Sequence, residues 1–188
     1  MKNDLYYSNG KLLISGEYLV LDGALSLAIP TKYGQSLLVE AIDEPKIIWN
    51  SLDEVGTTWF ENTFELETNG MLKLVQHDDI ANKLAKILNT AKQHNPSFLN
   101  TNCGFKITTS LTFPKNWGLG TSSTLINNIA KWAHVDAYML LDKTFSGSGY
   151  DIACAQHNSP ILFTKHNTEI VVEEVNFNPT FIDQLYFV

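Results

Sequence analysis

Pro114-Lys115-Asn116-Trp117-Gly118-Leu119-Gly120-Thr121-Ser122-Ser123 decides how this chain is read. Before it, Phe105, Ile107 and Thr109 alternate with Lys106 and Thr108, the period of a half-buried strand. Behind it, Leu125, Ile126, Ile129, Ala130 and Ala133 recur at helical spacing. A strand therefore runs into a glycine-bearing loop, and a helix begins within or just after the hydroxyl cluster. Glycines let a backbone approach an anion closely, and a helix start offers unpaired N–H groups and a positive dipole end. Thr121, Ser122 and Ser123 add hydroxyls that reach phosphate oxygens or a metal ion. The same residues also fit a tight turn with an ordinary Ser/Thr cap. Spelling excludes two phosphate loops: no Lys follows Gly120, as a Walker A loop requires, and Ser123 stands where a dinucleotide fingerprint needs its third Gly. Gly120-Thr121-Ser122-Ser123-Thr124 lacks only the last Gly of a nucleophile elbow, which leaves a Ser122 hydrolase open.

Two more segments carry chemistry. In Ser146-Gly147-Ser148-Gly149-Tyr150-Asp151-Ile152-Ala153 a small-residue loop delivers a carboxylate at the start of a helix-like run; an Asp there also simply suits the helix dipole. In Asn9-Gly10-Lys11 through Ser15-Gly16-Glu17-Tyr18 a lysine opens a strand, a position that is usually solvated.

Around these segments the first third reads as β, with strands at Lys11 to Ile14, Tyr18 to Leu21, Gln35 to Ile42, Lys46 to Trp49, Thr57 to Phe60 and Thr63 to Glu67. The last three have hairpin spacing. Ile80, Leu84, Ile87, Leu88 and Ala91 predict an amphipathic helix capped at Asp78 or Asp79. Short helices are expected around Val135 to Leu141 and Tyr150 to His157, then a hairpin of Ile161–Phe163 with Ile170–Val172. The end, Leu185 to Val188, reads as mid-strand.

The apolar fraction of 44% and charged fraction of 18% are those of an ordinary soluble domain. No apolar run approaches the roughly 18 residues of a membrane span, and the start lacks a signal-peptide pattern, so a cytoplasmic protein is expected. A net charge of −7 with scattered lysines excludes nucleic acid and anionic membranes as partners. Cys103 and Cys154 lie far apart, without CxxC spacing, and are expected to be buried free thiols. His77, His94, His134, His157 and His166 show no HxxxH or HExxH spacing and fit surface or core roles. All 13 basic residues are Lys, so any anion site must use backbone N–H groups, helix starts, hydroxyls and Lys rather than a guanidinium fork.

Taken together and in order, the three segments resemble the motifs of the GHMP kinases (galactokinase, homoserine kinase, mevalonate kinase and phosphomevalonate kinase), most closely the mevalonate and phosphomevalonate branch. Gly10-Lys11 through Leu21 is similar to the first motif, Pro114 to Ser123 to the phosphate-binding second, and Ser146 to Ala153 to the loop with the catalytic Asp. The resemblance spans Gly10 to about Phe163. It implies an α+β fold, a mixed sheet with helices mainly on one face, of the type of ribosomal protein S5 domain 2. It implies transfer of the γ-phosphoryl of ATP, with Mg²⁺, to the hydroxyl of a small-molecule alcohol similar to mevalonate. Asp151 would be the base, and Lys11 would sit beside it and lower its pKa. Pro114, Gly118, Leu119, Gly120, Thr121, Ser122 and Ser123 would wrap the phosphates, Ser122 reaching the metal. Glu17, Tyr18, Ser148 and Gly149 would shape the substrate pocket. The family's metal-binding Glu has no counterpart between Ala130 and Phe145, where only Asp136 and Asp142 are acidic. Nothing after Asp151 resembles the third, glycine-rich motif. Residues 1–188 are thus expected to be the N-terminal, ATP-binding domain without its C-terminal partner, whose uncovered face could pair with a second copy. The competing readings are an inactive nucleotide-binding or regulatory module of the same fold and, behind it, the Ser122 hydrolase.

Overall fold

The computed structural model describes residues 3–74, 78–100 and 103–184. Its eight strands are β1 (Asp4–Leu13), β2 (Ser26–Ile42), β3 (Lys46–Leu52), β4 (Thr58–Leu66), β5 (Leu72–Leu74), β6 (Gly104–Leu111), β7 (Ile161–His166) and β8 (Glu169–Glu174). They form one sheet in the order β5-β4-β3-β6-β2-β7-β8, with β1 also paired to β2. All pairings are antiparallel except β3 with β6. The helices are α1 (Asp79–His94), α2 (Thr121–Ala133), α3 (Ala137–Thr144) and α4 (Tyr150–Gln156).

This is the expected α+β mixed sheet. Buried and open positions alternate along β3 and β4, as they do when helices cover one face only. The covered face carries Leu37, Val39, Ile47, Trp49, Phe64 and Ile107, which meet Leu84, Leu88, Ile126, Ile129 and Leu140 of the helices in one core. In α1 the predicted stripe is buried, and Asp78 is the cap: its carboxylate accepts the N–H groups of Ile80 and Ala81, each at 2.8 Å.

The structure departs from the sequence expectations at several points. Tyr18 to Leu21 is not a strand but leads into a 3-10 turn at Leu19–Asp22, because Gly16, Tyr18 and Gly23 all take positive φ and reverse the chain at both ends. The segments at Thr57 to Phe60 and Thr63 to Glu67 are one strand, β4. Cys103 is exposed, against the expectation of burial, whereas Cys154 is buried; neither forms a disulfide among the described residues. The expected strand at Leu185 to Val188, and His77, lie outside the described residues. Among the described residues no helix is long and apolar enough to cross a membrane.

Candidate functional site

β1 brings Lys11 to the glycine loop. Register between β1 and β2 slips between Asn9 and Lys11, and the Lys11 N–H turns to the Leu119 carbonyl at 2.9 Å. A side chain at position 10 could not share that space, since a Cβ on Gly10 would lie 2.7 Å from the Leu119 oxygen. The Lys11 stem runs alongside Gly120, where a Cβ would stand 3.1 Å from Cγ and 3.8 Å from Cε.

The loop itself passes from Pro114 through a 3-10 turn at Lys115–Trp117 to Gly118 (φ 69°) and Gly120 (φ 94°), and α2 starts at Thr121. No side chain caps α2, so its first-turn N–H groups are unclaimed by a side-chain cap. The loop residues divide by role. Leu119 buries its side chain against Leu111 and Phe113. Ser123 is buried and donates to the Gly120 carbonyl at 2.9 Å, and Thr124 donates to the same carbonyl at 3.0 Å. Ser122 is exposed, and its hydroxyl has no hydrogen-bond partner among the described residues. Of Ser122, Ser123 and Thr124, Ser122 alone is exposed, with a hydroxyl that makes no hydrogen bond among the described residues.

Asp151 is the second residue of α4, whose N-cap is Gly149 at φ 94°. Its carboxylate accepts the Ile152 N–H at 3.0 Å. Burial raises its pKa above the ordinary carboxyl value, against the opposing pull of the Ile152 and Asp151 N–H groups and of the Lys11 ammonium. The Lys11 ammonium is near enough for its charge to lower the Asp151 pKa, although no ion pair among the described residues joins the two; the net shift is upward, because desolvation is the larger effect. Tyr150, which sequence reasoning missed, completes the group. Its ring centroid is 5.6 Å from the Lys11 ammonium, and burial raises its pKa against a hydrogen bond and charge from Lys11. In the sequence it was only an aromatic next to the candidate base.

Asp151 lines a hollow of about 280 Å³ together with Glu17, Tyr18, Ser148, Tyr150 and Leu13. Of the residues expected to shape a substrate pocket, Glu17, Tyr18 and Ser148 line this hollow, whereas Gly149 does not and is the N-cap of α4. On the other side of the glycine loop, Thr121 and Ser122 border a second hollow of about 230 Å³, walled by Trp49, Trp59, Phe60, Leu84 and Lys83. Lys115 of the loop holds its ammonium 4.1 Å above the Trp59 ring at this hollow's rim. The sequence signal for this hollow was the aromatic density of β3 and β4. No histidine lines either hollow. Asp136 is the N-cap of α3, accepting the Met139 N–H at 2.7 Å, and Asp142 is exposed. Among the described residues no three His, Cys, Asp or Glu side chains group as a metal cage would need.

Compared with known proteins, the chain matches no model of a protein family and no curated protein in sequence. Its fold matches solved kinases of the GHMP family. Mevalonate kinase of Methanococcus jannaschii superposes with a TM-score of 0.65 at 13% identity, over 94% of this chain and 56% of that one. Lactococcus lactis galactokinase, complexed with galactose, gives 0.67 at 14% identity, over 94% and 48%. Streptococcus pneumoniae phosphomevalonate kinase, complexed with phosphomevalonate and AMPPNP, gives 0.62 at 16% identity, over 86% and 49%. The chain thus has the fold of these enzymes and spans about half their length.

Proposed function

We propose that this chain is the ATP-binding part of a GHMP-type small-molecule kinase, which transfers the γ-phosphoryl group of ATP to the hydroxyl of a small alcohol similar to mevalonate. The observation that carries the reading is the convergence of Lys11, Asp151 and the Gly118–Ser122 turn, three segments far apart in sequence. The structural likeness to kinases solved with a nucleotide analogue or a sugar supports it.

In this reading the turn's glycines and the uncapped start of α2 receive the phosphates, and the aromatic hollow behind Thr121 and Ser122 takes the base of the nucleotide. Asp151, facing the other hollow, accepts the acceptor hydroxyl's proton as that oxygen attacks phosphorus. Lys11, lying between the turn and Asp151, balances negative charge as it passes to the transferring group. Mg²⁺ fits only in part: Ser122 offers an exposed hydroxyl of suitable hard-oxygen type, with no protein carboxylate cage beside it. Bound there, the ion would offset phosphate charge, held mainly by phosphate and water oxygens. With phosphoryl transfer resting on positioning and electrostatics, this small set of groups is chemically sufficient.

Calorimetric titration with ATP and magnesium, followed by ADP release with mevalonate, phosphomevalonate, homoserine and galactose, tests the proposal. Saturable nucleotide binding with ADP release that Asp151→Asn abolishes is expected. Binding without release under any acceptor would favour the inactive module, and no nucleotide binding would sink both. The hydrolase reading has nothing to activate Ser122: no histidine borders the hollow beside it, and its hydroxyl is unpaired among the described residues.

A further inference from the structure

Lys11 stands near opposite charges and pairs with none of them. Asp151 and Glu17 line the neighbouring hollow, yet among the described residues the Lys11 ammonium forms no ion pair with either. It lies instead 5.6 Å from the centroid of the Tyr150 ring, within reach of a cation–π attraction. Both partners of that contact are held from behind. The Lys11 N–H donates to the Leu119 carbonyl at 2.9 Å and its stem runs alongside Gly120, so the end of the side chain keeps most of its freedom. Tyr150 is the first residue of α4, and its N–H donates to the Ser148 hydroxyl at 3.4 Å. Its half-buried ring packs against the core patch of Val20, Ala153 and Phe163. A ring so fixed offers the ammonium a standing alternative to the carboxylates.

The choice between ring and carboxylate matters for the chemistry of Asp151. A tight Lys–Asp ion pair would occupy the carboxylate oxygens and lower their proton affinity, and a weak base accepts a hydroxyl proton poorly. Held against the ring, the ammonium acts on the carboxyl from a distance and stays beside the glycine turn. The other titratable groups that act on Asp151 or are acted on by it are Tyr138 of α3 and Tyr150 and Cys154 of α4, with Glu17 acting on Tyr150 from the loop after β1. Lys11 is the one cation in this set, so its distance from Asp151 governs how strongly the carboxyl is pulled down.

We propose that Tyr150 is a positioning residue: its ring keeps the Lys11 ammonium between the glycine turn and Asp151, and so leaves the carboxylate free to take a proton. The benefit to catalysis rests on the kinase reading; the placement of Lys11 stands on the geometry alone.

Carboxyl-carbon NMR titration of the whole chain, without nucleotide or acceptor, reads the proton affinity of Asp151 and tests the placement. Tyr150→Leu frees the ammonium to close on the carboxylate, so Asp151 is expected to bind its proton at least about tenfold more weakly than in the parent. Tyr150→Phe, which keeps the ring, should leave that affinity within about twofold. Losing the ring could also admit water to the buried carboxyl, which would weaken proton binding with no part for Lys11. A Lys11→Met background separates the two causes: there Tyr150→Leu should leave Asp151 unchanged. An equal drop with and without the ammonium, or no drop in Tyr150→Leu, overturns the proposal. So does a drop in Tyr150→Phe as large as in Tyr150→Leu, which would take the role from the ring. Parallel ATP titration of the Thr121 and Ser122 amides keeps the two readings apart: the expected Asp151 response without nucleotide binding refutes the kinase alone, and nucleotide binding without that response refutes the positioning role alone.

Discussion

Burial of the Asp151 carboxyl is the largest influence on it, and Lys11 is the principal charge opposing that influence. A carboxyl whose pKa is higher folded than unfolded holds its proton more readily when folded. It lends stability at acid pH and withdraws it as pH rises through the folded value. Asp151→Asn, which mimics the protonated group, should therefore melt above the parent at neutral pH, with the gap closing on acidification; thermal scans across that range check it. A melting point unchanged at neutral pH would mean the carboxyl is not desolvated. Removing the ammonium with Lys11→Met should push the Asp151 pKa further upward, read from the carboxyl carbon in an NMR titration. None of this balance was legible in the sequence, which placed Lys11 and Asp151 together through motif order alone. The sequence contains charges, but the depth at which folding sets them decides the sign of a pKa shift.

At the scale of elements, the start of α2 depends on Gly120. An alanine there must adopt a left-handed backbone, at about 1–2 kcal/mol. Its Cβ would also lie 2.6 Å from the Ser123 hydroxyl, forcing that group off the Gly120 carbonyl. Gly120→Ala should lower stability by at least about 1–2 kcal/mol in urea unfolding and weaken ATP binding besides. Deeper in the same helix, Asn127 ties three elements: it donates to Ser8 of β1 at 2.8 Å and to the Ala155 carbonyl of α4 at 3.2 Å, and accepts from Gln156 at 3.0 Å. Ser8 in turn donates to Asn128, which donates to the Gln35 carbonyl. Asn127→Ala strands buried partners on both sides, at roughly 1–3 kcal/mol each, so urea unfolding should show a loss of at least about 2 kcal/mol. Loss below that would show that water replaces the amide. The long helix α1 was legible because a cap and a full apolar stripe agree, Asp78 and Leu84 through Ala91 saying the same thing. Tyr18 to Leu21 was not: four apolar residues carry no period that separates a strand from a 3-10 turn. β5, with three residues, is shorter than any pattern sequence can display. The polar circuit around Asn127 was also invisible, since nothing local marks an Asn in a helix as a partner of β1 and α4.

For the molecule as a whole, the two cysteines report on different levels of structure. Cys154 is buried beside Asp151, which helps burial push its thiol up to about 12, whereas Cys103 is exposed. A thiol reagent should modify Cys103 at once in the native protein. Cys154 should react only as fast as the chain opens, its rate rising with urea in step with unfolding. Prompt labelling of both would contradict the packing of α4 against the sheet. The α+β architecture followed from the family resemblance; the order of strand and helix patterns agreed with it but could not have picked it out. The strand order did not, because it depends on which distant segments share an edge. β2 shows this most plainly: its first residues pair with β7, Ser26 facing Phe163, while its last pair with β6, Ile42 facing Gly104. During synthesis, the near end of that strand emerges well before β7 and must wait, unpaired on one side, until the segment through His166 has left the ribosome. Closure of the sheet is then a late, long-range step, slow by the measure of contact order, and a nascent chain paused before β7 would present an open strand edge to chaperones or to its neighbours.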